Sequence, residues 1–227
     1  MKYLILGSAG QIGAHLVKHL KDAGHSVLGY DIEENKHDDL RYYSAELLGL
    51  MYWSDFVFFL AFDVGGANYL RQYQFTYDFL SNNIKLMDNA FALLKKTGRP
   101  FIFASSQMSN MGHSSYGILK AIGERYTDSL NGLTVRFWNV YGIERNSDVS
   151  KFHVITDFIL KAMSGKITVM TDGTEVRQFL YADDCCEALE LLSNLETYDS
   201  TKTKAASTSP ASSGSRYTAS QIPLANL

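Results

Sequence analysis

Lys2-Tyr3-Leu4-Ile5-Leu6-Gly7-Ser8-Ala9-Gly10-Gln11-Ile12-Gly13 is the stretch that decides the fold. Its apolar run, ended by Gly7, reads as a buried parallel strand. Helical spacing follows from Ile12 to Ala23: Ile12, Leu16, Val17 and Leu20 share a face, and Gly24 supplies a C-cap. Glycine is needed where a chain turns tightly, where backbone must approach a pyrophosphate, and where a helix packs closely on a strand. The helix N-terminus adds unpaired N–H groups and a partial positive charge. Gly7, Gly10, Gln11, Ile12 and Gly13 are therefore candidate contacts for a dinucleotide.

Outward from this loop, Ser26 to Tyr30 reads as a second strand ending at Asp31. A carboxylate there can accept hydrogen bonds from adenosine ribose hydroxyls and would repel a 2′-phosphate, which favours NAD over NADP. Strands are expected at Phe56–Ala61, Phe101–Ala104 and Leu133–Phe137, and helices at Asn83–Lys96 and Tyr116–Leu130. Strands alternating with helices predict an α/β, Rossmann-type doubly wound parallel sheet over residues 1–140. From 141 to 200 the rhythm changes: a helix at His153–Met163, a strand at Ile167–Met170 and a helix at Asp183–Leu195 suggest a small, incomplete substrate-binding lobe. The tail, 201–227, is rich in Ser, Ala and Thr; disorder is expected, and loss of the natural reading frame there is the alternative.

Composition bounds the function. A net charge of −3 gives no electrostatic reason for nucleic acid or an anionic membrane as partner. The two cysteines, Cys185 and Cys186, are adjacent, fit no zinc spacing and read as reduced, buried thiols, so no metal is expected. No run approaches the ~20 apolar residues of a membrane span. The expected setting is the cytoplasm.

Tyr116 and Lys120 stand one helical turn apart and share a face. A free phenol, with a pKa of about 10, is a poor base at neutral pH, and a neighbouring ammonium favours the phenolate. Such a tyrosine can take the proton of a sugar hydroxyl while hydride leaves the same carbon. Just upstream, Phe103-Ala104-Ser105-Ser106 ends a strand, where ligands bind in open α/β sheets. Ser105 reads as a turn residue and Ser106 as a hydrogen-bond partner of the reacting oxygen.

Together these residues resemble the NAD-dependent epimerase/dehydratase family of nucleotide-sugar enzymes, in the extended branch of the short-chain dehydrogenase/reductase superfamily. The resemblance runs from Met1 to about Leu192. The glycine loop looks like that family's G-x-x-G-x-x-G, and Leu60-Ala61 lies at its His-Leu-Ala-Ala stretch beside the cofactor. Asn82-Asn83-Ile84 looks like its Asn-Val helix start. Arg136 to Gly142 looks like its Arg-x-x-Asn-Val-Tyr-Gly-Pro segment, with Ile143 in place of proline. Asp172 to Phe179 and Tyr181 to Asp184 resemble its next block. The resemblance implies Ser106, Tyr116 and Lys120 as catalytic residues, with Leu60, Ala61, Asn83, Tyr116 and Lys120 contacting NAD. It implies Asn139 near a sugar, Arg177 clamping a nucleotide diphosphate, and a homodimer.

Departures narrow the chemistry. Dehydratases of this family carry Asp-Glu after the catalytic Ser/Thr, where Gln107-Met108 stands here. Val64-Gly65-Gly66 resembles the GDP-fucose synthase and GDP-mannose 3,5-epimerase branches, but their cysteine after the serine pair is absent. The remaining set implies oxidation at one carbon, hence 4-epimerisation or ketone reduction. The loop from Ser106 to Tyr116 is short and lacks the usual Val-Tyr-Gly. Two other readings stay open: a non-catalytic NAD-binding module or enzyme fragment, and a dehydrogenase of another small alcohol.

Overall fold

Strand β1 (Lys2–Leu6) alternates its side chains between two cores: Tyr3 and Ile5 face one, Leu4 and Leu6 the other. Strands β3 (Phe56–Phe59) and β4 (Phe101–Ser106) repeat the pattern, which is why their sequences are apolar throughout. With β2 (Ser26–Tyr30) and β5 (Leu133–Phe137) they form a parallel sheet in the order β2-β1-β3-β4-β5. The computed structural model describes residues 1–144, 148–169, 172–174, 176–194 and 216–218. The last of these, β8 (Arg216–Thr218), pairs parallel with β5. That is the one described part of the tail 201–227, and it forms a strand where disorder was expected; the rest of the tail lies outside the described residues.

Helix α1 (Gln11–Asp22) covers one face of the sheet; α2 (Ala45–Trp53), α4 (Tyr77–Thr97) and α5 (Ser115–Ser129) cover the other. Phe59, Phe91 and Phe103 meet at ring separations of 5.2–5.5 Å and hold α4 to β3 and β4. Helix α4 begins at Tyr77, six residues before the expected start at Asn83, because Thr76 caps it by accepting from Phe79 N at 3.3 Å. The unforeseen α2 is capped the same way, Ser44 accepting from Leu47 N at 3.1 Å.

Beyond β5, β6 (Asn139–Tyr141) pairs parallel with β7 (Phe179–Tyr181). Two short helices accompany them, α3 (Ala67–Tyr73) and α6 (Val154–Met163). Residues 167–169, expected as strand, are irregular, with Ile167 and Val169 about half exposed; Met170 lies outside the described residues. Helix α7 (Ala182–Ser193) is not part of the small lobe to which its position in the sequence assigned it. Cys185, Cys186, Leu189 and Leu192 are buried against α1, in the core shared with β1 and β5. Burial pushes both thiols up, Cys186 to about 12, so they pack as apolar groups. No helix among the described residues is long and apolar enough to cross a membrane.

Candidate active site

The order of the sheet reverses between β1 and β3, and the carboxyl ends of these strands frame the crevice where open α/β sheets take ligands. Gly7 follows β1 with φ +89°, a conformation that side chains with a Cβ rarely adopt. A Cβ on Gly7 would meet Ala61 N at 2.6 Å, and one on Gly13 would run into the carbonyl of Gly7. The loop therefore lies flat against the residues after β3, and Gly10 caps α1 with no side chain in the way. The Gln11 side-chain amide lies 3.3 Å from Val140 O and 3.2 Å from Gly142 N.

Asp31 stands beside this loop. Its carboxylate accepts from Ala9 N and Glu33 N, each at 2.9 Å. Burial, reinforced by Glu34 and Glu33, raises its pKa against these two bonds. Glu34 reaches the same place and accepts from Ser8 Oγ at 2.6 Å.

Three residues expected to act together do meet. Ser106 ends β4 and caps the turn Gln107–Asn110, accepting from Met108 N at 3.2 Å. Tyr116 and Lys120 lie on α5, the Tyr116 ring centroid 5.7 Å from Lys120 Nζ, and Ser106 is near enough to the phenol to act on its pKa. Burial pushes Tyr116 up to about 12, with the neighbouring Ser106 hydroxyl pulling the other way. Burial pulls Lys120 down to about 7 against the attraction of Glu124. Lys120 Nζ donates to Ala104 O at 2.7 Å.

Behind the trio lies a support that the sequence reading missed. Glu124, one turn beyond Lys120, accepts from Ser105 Oγ at 2.7 Å and from Arg136 Nε and Nη2 at 2.7 and 2.6 Å. Burial alone would raise its pKa, but Arg136 and Ser105 bring it below the ordinary value. Ser105 is thus a buried anchor rather than a turn residue. The available signal was the spacing of Glu124 from Lys120 on one helix face.

Asn83 is fully buried and pins the segment after β3: its Oδ1 accepts from Asp63 N at 2.8 Å, and its Nδ2 donates to Asp63 O at 3.1 Å and Phe79 O at 2.9 Å. Between Ala61 and Asp63, Phe62 places its ring over Lys120, 3.7 Å from Nζ to the centroid, and edge-on to Tyr116 at 5.6 Å. Ala61 therefore touches the glycine turn while the next residue touches the Tyr–Lys pair. The expected Leu60-Ala61 contact stops one residue short of this ring, which stands at the second alanine of the stretch it was compared with.

Asn139 opens β6 and donates to Gln178 O at 2.9 Å. It lines a cleft with Gly66, Ala67, His153, Val154 and Phe179. Arg177 is exposed, one residue before the Gln178 carbonyl that Asn139 holds, and is in none of the described contacts of Tyr116 or Lys120. No group of three or more His, Cys, Asp or Glu among the described residues could hold a metal ion.

A sequence profile described as the NAD dependent epimerase/dehydratase family matches residues 3–204. A curated Bacillus subtilis protein, an uncharacterized UDP-glucose epimerase, is 25% identical over 235 residues, spanning 83% of this chain and 71% of its own length. GDP-mannose 3,5-epimerase 1 of Oryza sativa subsp. indica is 24% identical over 229 residues, spanning 83% of this chain and 60% of its own. The crystal structure of UDP-glucose 4-epimerase from Thermotoga maritima with UDP-glucose has a TM-score of 0.68 at 26% identity, covering 86% of this chain and 74% of that one.

Proposed function

The chain belongs to the NAD-dependent epimerase/dehydratase family, and from that premise we propose that it oxidises one carbon of a nucleotide-activated sugar in the manner of a 4-epimerase or ketone reductase. The observation that carries this reading is the adjacency of two sites. The glycine turn abuts Ala61, and the neighbouring Phe62 abuts Tyr116 and Lys120.

The residues present fit NAD. The cradle at Gly7 and Gly13 is one that a Cβ would fill, and Asp31 lies beside it to receive ribose hydroxyls. NAD supplies the hydride acceptor when bound. Tyr116 binds the sugar hydroxyl and takes its proton; Ser106 holds the same oxygen. With a pKa pushed up to about 12, the phenol is protonated at rest. Its service as a base depends on positive charge arriving nearby, and Lys120 is the group placed to supply it. The same proton, once held on Tyr116, returns to the oxygen when the ketone is reduced. Glu124 and Arg136 keep β4, β5 and α5 in register so that Ser106 and Tyr116 stay within reach. Gln107 and Met108 offer no carboxyl group for removal of water, which favours hydride transfer alone.

Arg177 and Asn139 are the proposed contacts to the nucleotide sugar. The test is incubation with UDP-, GDP- and dTDP-sugars while bound NADH is followed by absorbance; at least one should raise the signal. Arg177→Ala should raise KM for that sugar by about tenfold with kcat kept, the loss of one charge-assisted pair. An unchanged KM removes the nucleotide from the proposal and leaves an alcohol dehydrogenase.

A further inference from the structure

We propose that Phe62 is a gate on the dinucleotide pocket, its ring capping the Lys120 ammonium and having to swing aside before a nicotinamide ribose can reach it. The inference rests on the NAD reading above and adds a residue that controls access to it.

The geometry leaves no room for both. An ammonium 3.7 Å from a ring centroid is in van der Waals contact with the ring. The other rings near Nζ lie further off, Phe103 at 5.0 Å and Tyr116 at 5.7 Å. An ammonium has three donors. Among the described residues Ala104 O accepts from it, and the Phe62 face closes the approach from the segment after β3. Lys120 is in consequence only 3% exposed. A ribose hydroxyl that is to replace this ring as partner must first displace it.

The surroundings show what moves. Ala61, before Phe62, lies against Gly7. Asp63, after it, is held at both backbone groups by Asn83, and its carboxylate accepts from Tyr69 Oη at 2.6 Å and Asn82 Nδ2 at 3.1 Å. The backbone is fixed on either side, so opening is a rotation of the Phe62 side chain. The charged group acting on the ammonium is Glu124 on its own helix, itself paired to Arg136 on β5; the Tyr116 phenol, neutral at rest, has its ring 5.7 Å away, and Asp63 follows Phe62 in the gate segment, bonded to Tyr69. Closure keeps Lys120 dry and near a pKa of about 7; opening returns it to water or to ribose hydroxyls and restores its charge.

The closed gate taxes binding. If it is shut in about nine molecules of ten, NAD binds about tenfold more weakly than to an open pocket. Calorimetric titration of NAD into nucleotide-stripped protein from pH 6 to 9 tests this. Phe62→Ala should bind about tenfold tighter than wild type at pH 8. Wild-type affinity should fall as pH rises past 7, because Lys120 must take up a proton on binding; Phe62→Ala should hold its affinity to pH 9. Phe62→Leu keeps apolar bulk in the core and should lie between the two, so the test survives if the alanine variant does not fold. Equal or weaker binding by both variants, with the wild-type pH profile, overturns the gate and leaves the dinucleotide site standing. No NAD binding by any of the three overturns both.

Discussion

The two halves of the molecule are built to different standards of packing. From Tyr3 to Phe137, four central strands carry side chains buried on both faces, and α4 alone buries eight residues. From Asn139 to Tyr181, α6 buries none, β7 is exposed or half-exposed, and Met163 and Val176 are 80% and 94% exposed. The difference separates two tasks. The proposed proton-transfer trio hangs on the dense half, where the Glu124–Arg136 pair fixes it. The proposed sugar contacts, Asn139 and Arg177, hang on the sparse half, where Asn139 opens a three-residue ladder and donates one hydrogen bond to Gln178 O. The residues proposed for chemistry sit in dense packing and those proposed for recognition in sparse packing.

That contrast can be broken, most decisively at Tyr116. Tyr116→Phe keeps the ring packed against Phe62 and removes only the proton carrier. Turnover should drop about a thousandfold, with circular dichroism and melting unchanged; a variant that melts early would show that the phenol holds the fold. Next comes Glu124→Ala, which strands the buried Arg136 guanidinium. Chemical denaturation should report a loss of about 3 kcal/mol, and a loss below 1 kcal/mol would mean that the dense half is not anchored there.

A smaller effect is expected from pH. Burial holds Lys120 near 7, below the ordinary lysine value, so the unfolded chain binds more protons from pH 7 upward. Stability should therefore rise with pH from 7 towards 10, by up to about 1.4 kcal/mol per unit. Above about 10 the slope reverses, because Tyr116 keeps its proton when folded and sheds it when unfolded. Lys120→Met should flatten the rise, read as the difference between the two proteins in denaturation midpoint across that range. Smallest of all, Met163→Gln on the exposed side of α6 should change stability by less than about 0.5 kcal/mol. A larger loss would show that something packs on the sparse half.

The dense half was also the legible one, for the same physical reason. Where both faces of a strand are buried, apolar runs such as Tyr3–Leu6 and Phe101–Phe103 have one reading, and the glycines between them mark the turn. The sequence hid what depends on tertiary neighbours. Helix α2 is apolar apart from Glu46 and Gly49, so it has no periodicity to announce it; its signal was the cap at Ser44. Ile167 and Val169 imitate a strand, but among the described residues they join no ladder and stay about half exposed. The trio Ser106, Tyr116 and Lys120 could be located by spacing, whereas the Phe62 ring and the Glu124–Arg136 clamp meet it only through folding. Helix α7 was misplaced because its apolar stripe says that it is buried and not against what.

The position of α7 bears on how the chain is made. Its side chains complete a core whose other walls are drawn from the first 140 residues. Glu190 accepts from His19 Nε2 at 2.7 Å and His25 Nε2 at 2.8 Å, and Ser193 meets Tyr3 Oη at 3.0 Å. A nascent polypeptide emerging from the ribosome can lay down every central strand and still leave α1 wet on one flank. It must wait for some fifty further residues before that flank is sealed. A later helix therefore latches the earliest segment, and the wait is the interval in which a chaperone would find the most to hold.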